Sequence, residues 1–284
     1  MAISAGDMVV FYFKGKGPKL IRATDSGSIN TANGKLSFSE IIGCDWGETV
    51  HTSSGHPVCL LRPTPEDLVM GVRRISNINY PKDISRIIYR IGIKPGDRVI
   101  ELGAGSGGMA ISLAWAVGDS GRIYTYDLRE DMLRCAEKNL KRVGLADRVE
   151  FKARDKMAGF AESEVDALLM DIPTPWEELA VAWQALAPGG YLACTVPTYD
   201  QLGELSVWLA ESGFLPLEAM EIMCRTLRAE KGRTRPDFKM ISHTQLIQFA
   251  VRVGGAEAGT DVDKAAIASM ASRPADPEGS AGER

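Results

Sequence analysis

The chain has 284 residues, 33 Lys+Arg against 37 Asp+Glu, a net charge of −4 and a pI near 5.6. That length suits about two domains; no apolar run approaches the roughly 20 residues of a membrane helix, and the N-terminus lacks a signal-peptide pattern. The 5 cysteines are odd in number and form no Cys-x-x-Cys pair, which excludes a disulfide framework or zinc ribbon, favours a reducing cytoplasmic compartment, and leaves the acidic total as an argument against nucleic acid.

Residues 1–75 read as a small β-rich domain. Short apolar runs, Met8–Phe13 and Leu36–Ile42, alternate with Gly-rich turns, and Asn33-Gly34 suits a tight hairpin. His51 and His56 lie close together, but no third metal ligand is spaced to join them. The segment 62–79 reads as a linker. Residues 76–253 then alternate strands and helices. Helices are predicted over Asp83–Ile91, Gly107–Val117, Glu130–Val143, Trp176–Leu186 and Asp200–Ser212. Strands are predicted over Arg98–Leu102, Arg122–Leu128, Val149–Ala153, Val165–Met170 and Tyr191–Val196, with Leu217–Thr226 and Thr244–Val253 closing. This pattern predicts an α/β fold, a Rossmann-like, mainly parallel sheet with helices on both faces. Ligands of such sheets sit outside the carboxyl ends of the strands. Residues 254–284 hold six acids, three bases and no aromatics, the composition of a disordered acidic tail. Its −3 leaves the remaining 253 residues at about −1.

The first strand of this region runs into Glu101-Leu102-Gly103-Ala104-Gly105-Ser106-Gly107-Gly108. Glycines 103, 105 and 108 satisfy G-x-G-x-x-G, which by itself says that a ligand, or a tight turn, approaches the backbone where a helix begins. Glu101 shifts the reading from NAD to S-adenosylmethionine, because a carboxylate repels pyrophosphate and suits an ammonium and a sulfonium. An acid also follows each next strand: Asp127, Asp155 and Asp171. Asp127 can accept both ribose hydroxyls of either cofactor, and Asp155 can accept from an adenine amine. The alternative for both is a helix N-cap or a loop acid. Asp171 opens Asp171-Ile172-Pro173-Thr174-Pro175-Trp176, where two prolines stiffen the loop around a carboxylate. Methyl transfer to adenine N1 gives such a group work: it accepts from the exocyclic amine as positive charge grows on the ring. The alternative is a strand-end aspartate capping the next helix.

These residues resemble the tRNA (adenine-58-N1)-methyltransferases over residues 1 to about 253. The similarity is carried by Tyr80-Pro81-Lys82-Asp83, by Glu101–Gly108, by Asp171–Trp176 and by His243-Thr244. The small N-terminal domain, with RPTPED at 62–67, adds to it. The resemblance implies transfer of a methyl group from S-adenosylmethionine to N1 of adenine in the tRNA T-loop, at position 58 or also 57. It implies Asp171 as the catalytic carboxylate and Tyr80 near the target adenine. Cofactor contacts then fall to Glu101, Gly103, Ala104, Gly105, Ser106, Gly107, Gly108, Asp127, Arg154, Asp155 and Asp171, with no metal. It also implies a homotetramer assembled around tRNA. Two positions depart from the family pattern: Ser242-His243-Thr244 stands where Gly-His-Thr is usual, and Asp127 where glutamate is common. For His243, packing or a subunit contact is the reading.

Arg225–Lys239 (RTLRAEKGRTRPDFK) holds six bases and two acids, and Lys14, Lys16 and Lys19 form a smaller cluster. Each is either a solvated loop or a phosphate-binding patch, repeated in an oligomer. Three rival readings stand beside the main one: a same-fold methyltransferase acting on a small molecule or protein, an NAD-dependent oxidoreductase, and a silent partner subunit. An intact glycine loop with Asp171 argues against the last.

Overall fold

The computed structural model describes residues 2–14, 17–238 and 240–253; the predicted acidic tail, Lys16 and Lys239 lie outside them. The chain divides into two compact units, Met1–Arg154 and Asp155–Arg284.

The first unit begins with strands β1 (Met8–Tyr12), β2 (Lys19–Arg22), β3 (Ser28–Thr31), β4 (Gly34–Ser37), β5 (Thr49–His51) and β6 (Pro57–Leu61). Four of them form an antiparallel sheet in the order β2-β1-β6-β5, and β3 pairs with β4. β1 lies inside this sheet, and four of its five residues are buried. Val9, Phe11, Leu36, Ile41, Val58 and Leu60 build the local core. The predicted hairpin turn is displaced by one residue. Thr31 pairs with Gly34, so Ala32 and Asn33 form the loop, and neither has positive φ. Gly34 carries the left-handed geometry instead, with φ +103, as a glycine does after a type I turn.

The segment predicted as a linker contains helix α1 (Pro65–Met70), whose Leu68 and Val69 are buried. Thr64 Oγ1 accepts from the Asp67 amide at 3.3 Å, and the Asp67 carboxylate accepts from the Thr64 amide at 2.8 Å. Proline at the first helical position completes a start signal that composition alone conceals. Helix α2 (Pro81–Arg90) follows, then β7 (Arg98–Leu102), α3 (Gly108–Val117), β8 (Arg122–Asp127), α4 (Glu130–Val143) and β9 (Val149–Ala153). α3 is largely apolar and buried at eight of its ten positions, as befits an interior helix, with Trp115 exposed. α4 instead has one apolar face, acids in its first turn, bases in its last, and Gly144 at φ +74 as its stop, each favourable to the helix dipole or C-cap.

The second unit contains β10 (Val165–Met170), α5 (Leu179–Ala185), β11 (Leu186–Val196), α6 (Tyr199–Glu211), β12 (Phe214–Glu221), the two-residue strands β13 (Leu227–Arg228) and β14 (Arg235–Pro236), and β15 (Leu246–Arg252). The helix predicted over 176–186 is a 3-10 turn at Pro175–Glu178 followed by α5. Within the first unit the strands of the large sheet run in the order β7-β8-β9, and within the second in the order β12-β15-β11-β10. β7, β8 and β9 run parallel, as do β10 and β11. β15 runs antiparallel to both its neighbours, β11 and β12. The expected Rossmann-like, mainly parallel sheet with helices is what the chain forms.

Candidate active site

In the first unit, β7 delivers the glycine loop. Gly103, Gly105 and Gly107 have φ of +105, +49 and +82, a region that costs an L-residue about 1–2 kcal/mol. A Cβ on Gly107 would lie 3.0 Å from both Ala136 Cα and Leu140 Cδ1 on α4. Gly108, counted in the G-x-G-x-x-G pattern, differs: it is the first residue of α3, and a Cβ there would meet nothing nearer than 3.5 Å. The conformational demand therefore falls on 103, 105 and 107. Glu101 sits inside β7, 1% exposed, where Thr125 Oγ1 donates to its Oε2 at 2.7 Å. Its carboxylate is a buried neighbour of the loop and not a rim residue.

Asp127, the last residue of β8, closes on that loop. Its Oδ2 accepts from the Gly105 amide at 3.3 Å and its Oδ1 from the Arg129 amide at 2.9 Å. Arg129 is the N-cap of α4, so the capping alternative for Asp127 does not hold. Arg154 is 8% exposed, and its amide donates to the Asp127 carbonyl at 3.2 Å. Gly105, Asp127 and Arg154 are thus brought together. Asp155 follows β9 with its side chain exposed. Tyr80 is half-buried, and its carbonyl accepts the first backbone bonds of α2 from Asp83 and Ile84.

A feature the sequence did not reveal straps the loop from outside. Asn139 of α4, 3% exposed, donates from Nδ2 to the carbonyls of Arg73 and Ser106, both at 2.9 Å, and accepts the Arg73 amide at 3.0 Å. Ser106 Oγ accepts the Ile75 and Ser76 amides at 3.0 and 3.1 Å. Ser106 is therefore occupied in holding the 73–76 segment. A Cβ on Gly105 would lie 3.1 Å from Ser76 Oγ.

In the second unit, Asp171 follows β10 directly and is exposed. Thr195 on β11, 4% exposed, donates from Oγ1 to Asp171 Oδ1 at 2.8 Å. Gln201 of α6 donates to the Pro173 carbonyl at 3.0 Å, gripping the loop further along. Lys156 pairs with Glu177 and holds that carboxyl below the usual range. His243 bridges two acceptors, Nδ1 to Glu221 Oε1 and Nε2 to the Pro197 carbonyl, both at 2.8 Å, an arrangement an imidazolium fills by donating twice. The Tyr199 hydroxyl donates to Glu221 Oε2 at 3.0 Å, and that bond pushes the phenol's pKa up. His243 thus ties the end of β11 to the end of β12. Ser242 is not among the positive-φ residues, so the missing glycine of the late motif is not needed for backbone geometry.

Comparison with known proteins decides among the methyltransferase and oxidoreductase readings. Residues 57–252 match the family described as tRNA methyltransferase complex GCD14 subunit. The chain belongs to the tRNA (adenine-58-N1)-methyltransferase family. A relative in this family, the tRNA (adenine(57)-N(1)/adenine(58)-N(1))-methyltransferase TrmI of Methanocaldococcus jannaschii, is 31% identical over 230 residues, covering 72% of this chain and 82% of that one. The tRNA (m1A58) methyltransferase TrmI from Aquifex aeolicus superposes with a TM-score of 0.77 at 26% identity, over 90% of this chain and 100% of that one. A SAM-dependent O-methyltransferase from Thermotoga maritima superposes with a TM-score of 0.84 at 36% identity, over 90% and 96%. Membership in this methyltransferase family sets the NAD-dependent oxidoreductase aside.

Proposed function

We infer that the protein methylates N1 of adenine in the T-loop of tRNA, at position 58 or also 57, with S-adenosylmethionine as donor. One observation carries the reading beyond family membership: Asp171, in the loop that resembles the family's catalytic one, has its carboxylate held by a buried hydroxyl on the neighbouring strand. The residues of the glycine loop fit the donor. Three left-handed glycines carry no side chain that would bar close approach of a ligand to the loop backbone, and Glu101, Asp127 and Asp155 provide carboxylates for an ammonium and for ribose or adenine donors. When bound, S-adenosylmethionine supplies an electrophilic methyl group on a sulfonium. Asp127 would accept from ribose hydroxyls and Asp155 from the adenine amine of the donor; the Gly105 and Arg129 amides keep the Asp127 carboxylate aimed, and the Arg154 amide holds its backbone.

Asp171 accepts a hydrogen bond from the exocyclic amine of the target adenine. With the donor bound, N1 would bond to the methyl carbon while its carbon–sulfur bond breaks and a neutral thioether leaves; positive charge would spread into the amine and strengthen its bond to Asp171, so stabilisation by Asp171 is larger in the transition state than in the ground state. Tyr80 positions the target base. Residues 1–75 and 76–253 act as an N-terminal and a catalytic domain, and four copies assemble around tRNA so that the basic segments repeat. The five free cysteines agree with a reducing cytoplasm, and no helix among the described residues is long and apolar enough to cross a membrane.

Methyl transfer from labelled S-adenosylmethionine to unmodified tRNA, followed by nucleoside analysis, tests this reading. The expected product is 1-methyladenosine in the T-loop, and Asp171→Ala is expected to bind the donor while losing most turnover. A folded protein that labels no tRNA overturns it. The Thermotoga maritima O-methyltransferase favours a second reading, a small molecule or protein as acceptor, and label passing to such an acceptor with none in tRNA would establish that reading instead.

A further inference from the structure

We propose that Thr195 is a positioning residue that aims the Asp171 carboxylate at the substrate amine. The proposal rests on the reading of Asp171 as the catalytic carboxylate. Asp171 lies one residue beyond β10, where the ladder no longer orients its backbone: the last pair across β10 and β11 is Met170 with Cys194. Thr195 is the next residue of β11 and stays held on the other edge, paired with Ile247 of β15. A rigid strand position thus faces a loop position whose side chain has to be aimed.

The hydroxyl of Thr195 carries one proton, and two acceptors lie near it. The Asp171 carboxylate is at 2.8 Å, while the Met170 carbonyl is at 3.5 Å, the limit for such a bond. Burial obliges the hydroxyl to donate, and the shorter bond, to an ionised acceptor, is the stronger one. With Oδ1 tied to the strand, the carboxylate is restrained before substrate arrives, and orientation of that kind is worth rate and not affinity. β-branching suits threonine to the strand, but valine would serve packing equally well. The hydroxyl is what packing does not require.

The test compares Thr195→Val, which keeps shape and removes the donor, with Thr195→Ser, which keeps the donor. The single-turnover rate of methyl transfer to tRNA is expected to fall about tenfold in the valine variant, with the Kd for S-adenosylmethionine and the KM for tRNA within about twofold. The serine variant is expected to stay within about threefold of the parent rate. If Thr195→Val folds poorly, Thr195→Ala is read in the same way. A valine or alanine variant at the parent rate overturns the proposal, as does a serine variant as slow as the valine one, which would make the role one of packing. Asp171→Asn at the parent rate would instead overturn the catalytic reading of Asp171, and so separates the two.

Discussion

Gly107 and Gly108 look alike in the sequence and differ in what the fold asks of them. Gly107 combines left-handed φ with a Cβ position in contact with the backbone of α4, while Gly108 has neither. Gly107→Ala is expected to cost about 1–3 kcal/mol, several degrees in Tm, and to weaken S-adenosylmethionine binding. Gly108→Ala is expected to leave stability unchanged or raise it by up to about 1 kcal/mol, since alanine suits a helix and lowers unfolded-state entropy. Thermal unfolding of the two variants checks the difference; equal losses would mean the loop is tuned by close approach at both positions. The spacing pattern counts Gly108 and passes over Gly107, on which the conformational demand falls, because a spacing pattern carries no φ.

The elements around the loop show how a segment with little periodicity becomes structural. Residues 73–76 have no regular structure, yet two side chains, Asn139 and Ser106, satisfy their backbone groups. Buried amides and carbonyls that lose such partners cost about 1–3 kcal/mol each. Asn139→Ala is therefore expected to lower stability by about 2–3 kcal/mol, to speed amide exchange at Arg73, and to raise the Kd for S-adenosylmethionine severalfold. Denaturant unfolding and exchange measurements check this; a variant with parent-like exchange would show that the strap is not held by Asn139. Thr64 and Asp67 make the same point for α1: Thr-x-x-Asp was legible as a capping box, but with prolines on both sides of Thr64 it read as a connector.

For the whole molecule, net charge proved a weak guide to partner. Residues 1–253 are close to neutral, at about −1. In the segment around β13 and β14, Arg228 pairs with Asp237 at 3.8 Å and Arg233 with Glu230 at 3.5 Å, while Arg225 and Lys231 are exposed. If these two bind phosphate, removing both by Arg225→Ala and Lys231→Ala is expected to reduce the slope of log K against log salt for tRNA by about two, close to one per phosphate contact. Binding titrations over a range of salt measure it, and an unchanged slope would assign the segment to solvent.

The sequence by itself determined the alternation of strands and helices from Tyr80 onward, the glycine loop, and the strand-end acids, because these follow from periodicity and from residue types that few backbones tolerate. It also carried the family, through four short motifs. The tertiary structure decided which of those residues are held and by what: Asp127 by Gly105 and Arg129, Ser106 by the 75–76 backbone, Asp171 by Thr195. Those partners stand between about 20 and 30 positions away along the chain, except for Arg129, two residues on. A hydrogen bond across such a distance depends on strand register and helix docking, which no local pattern encodes.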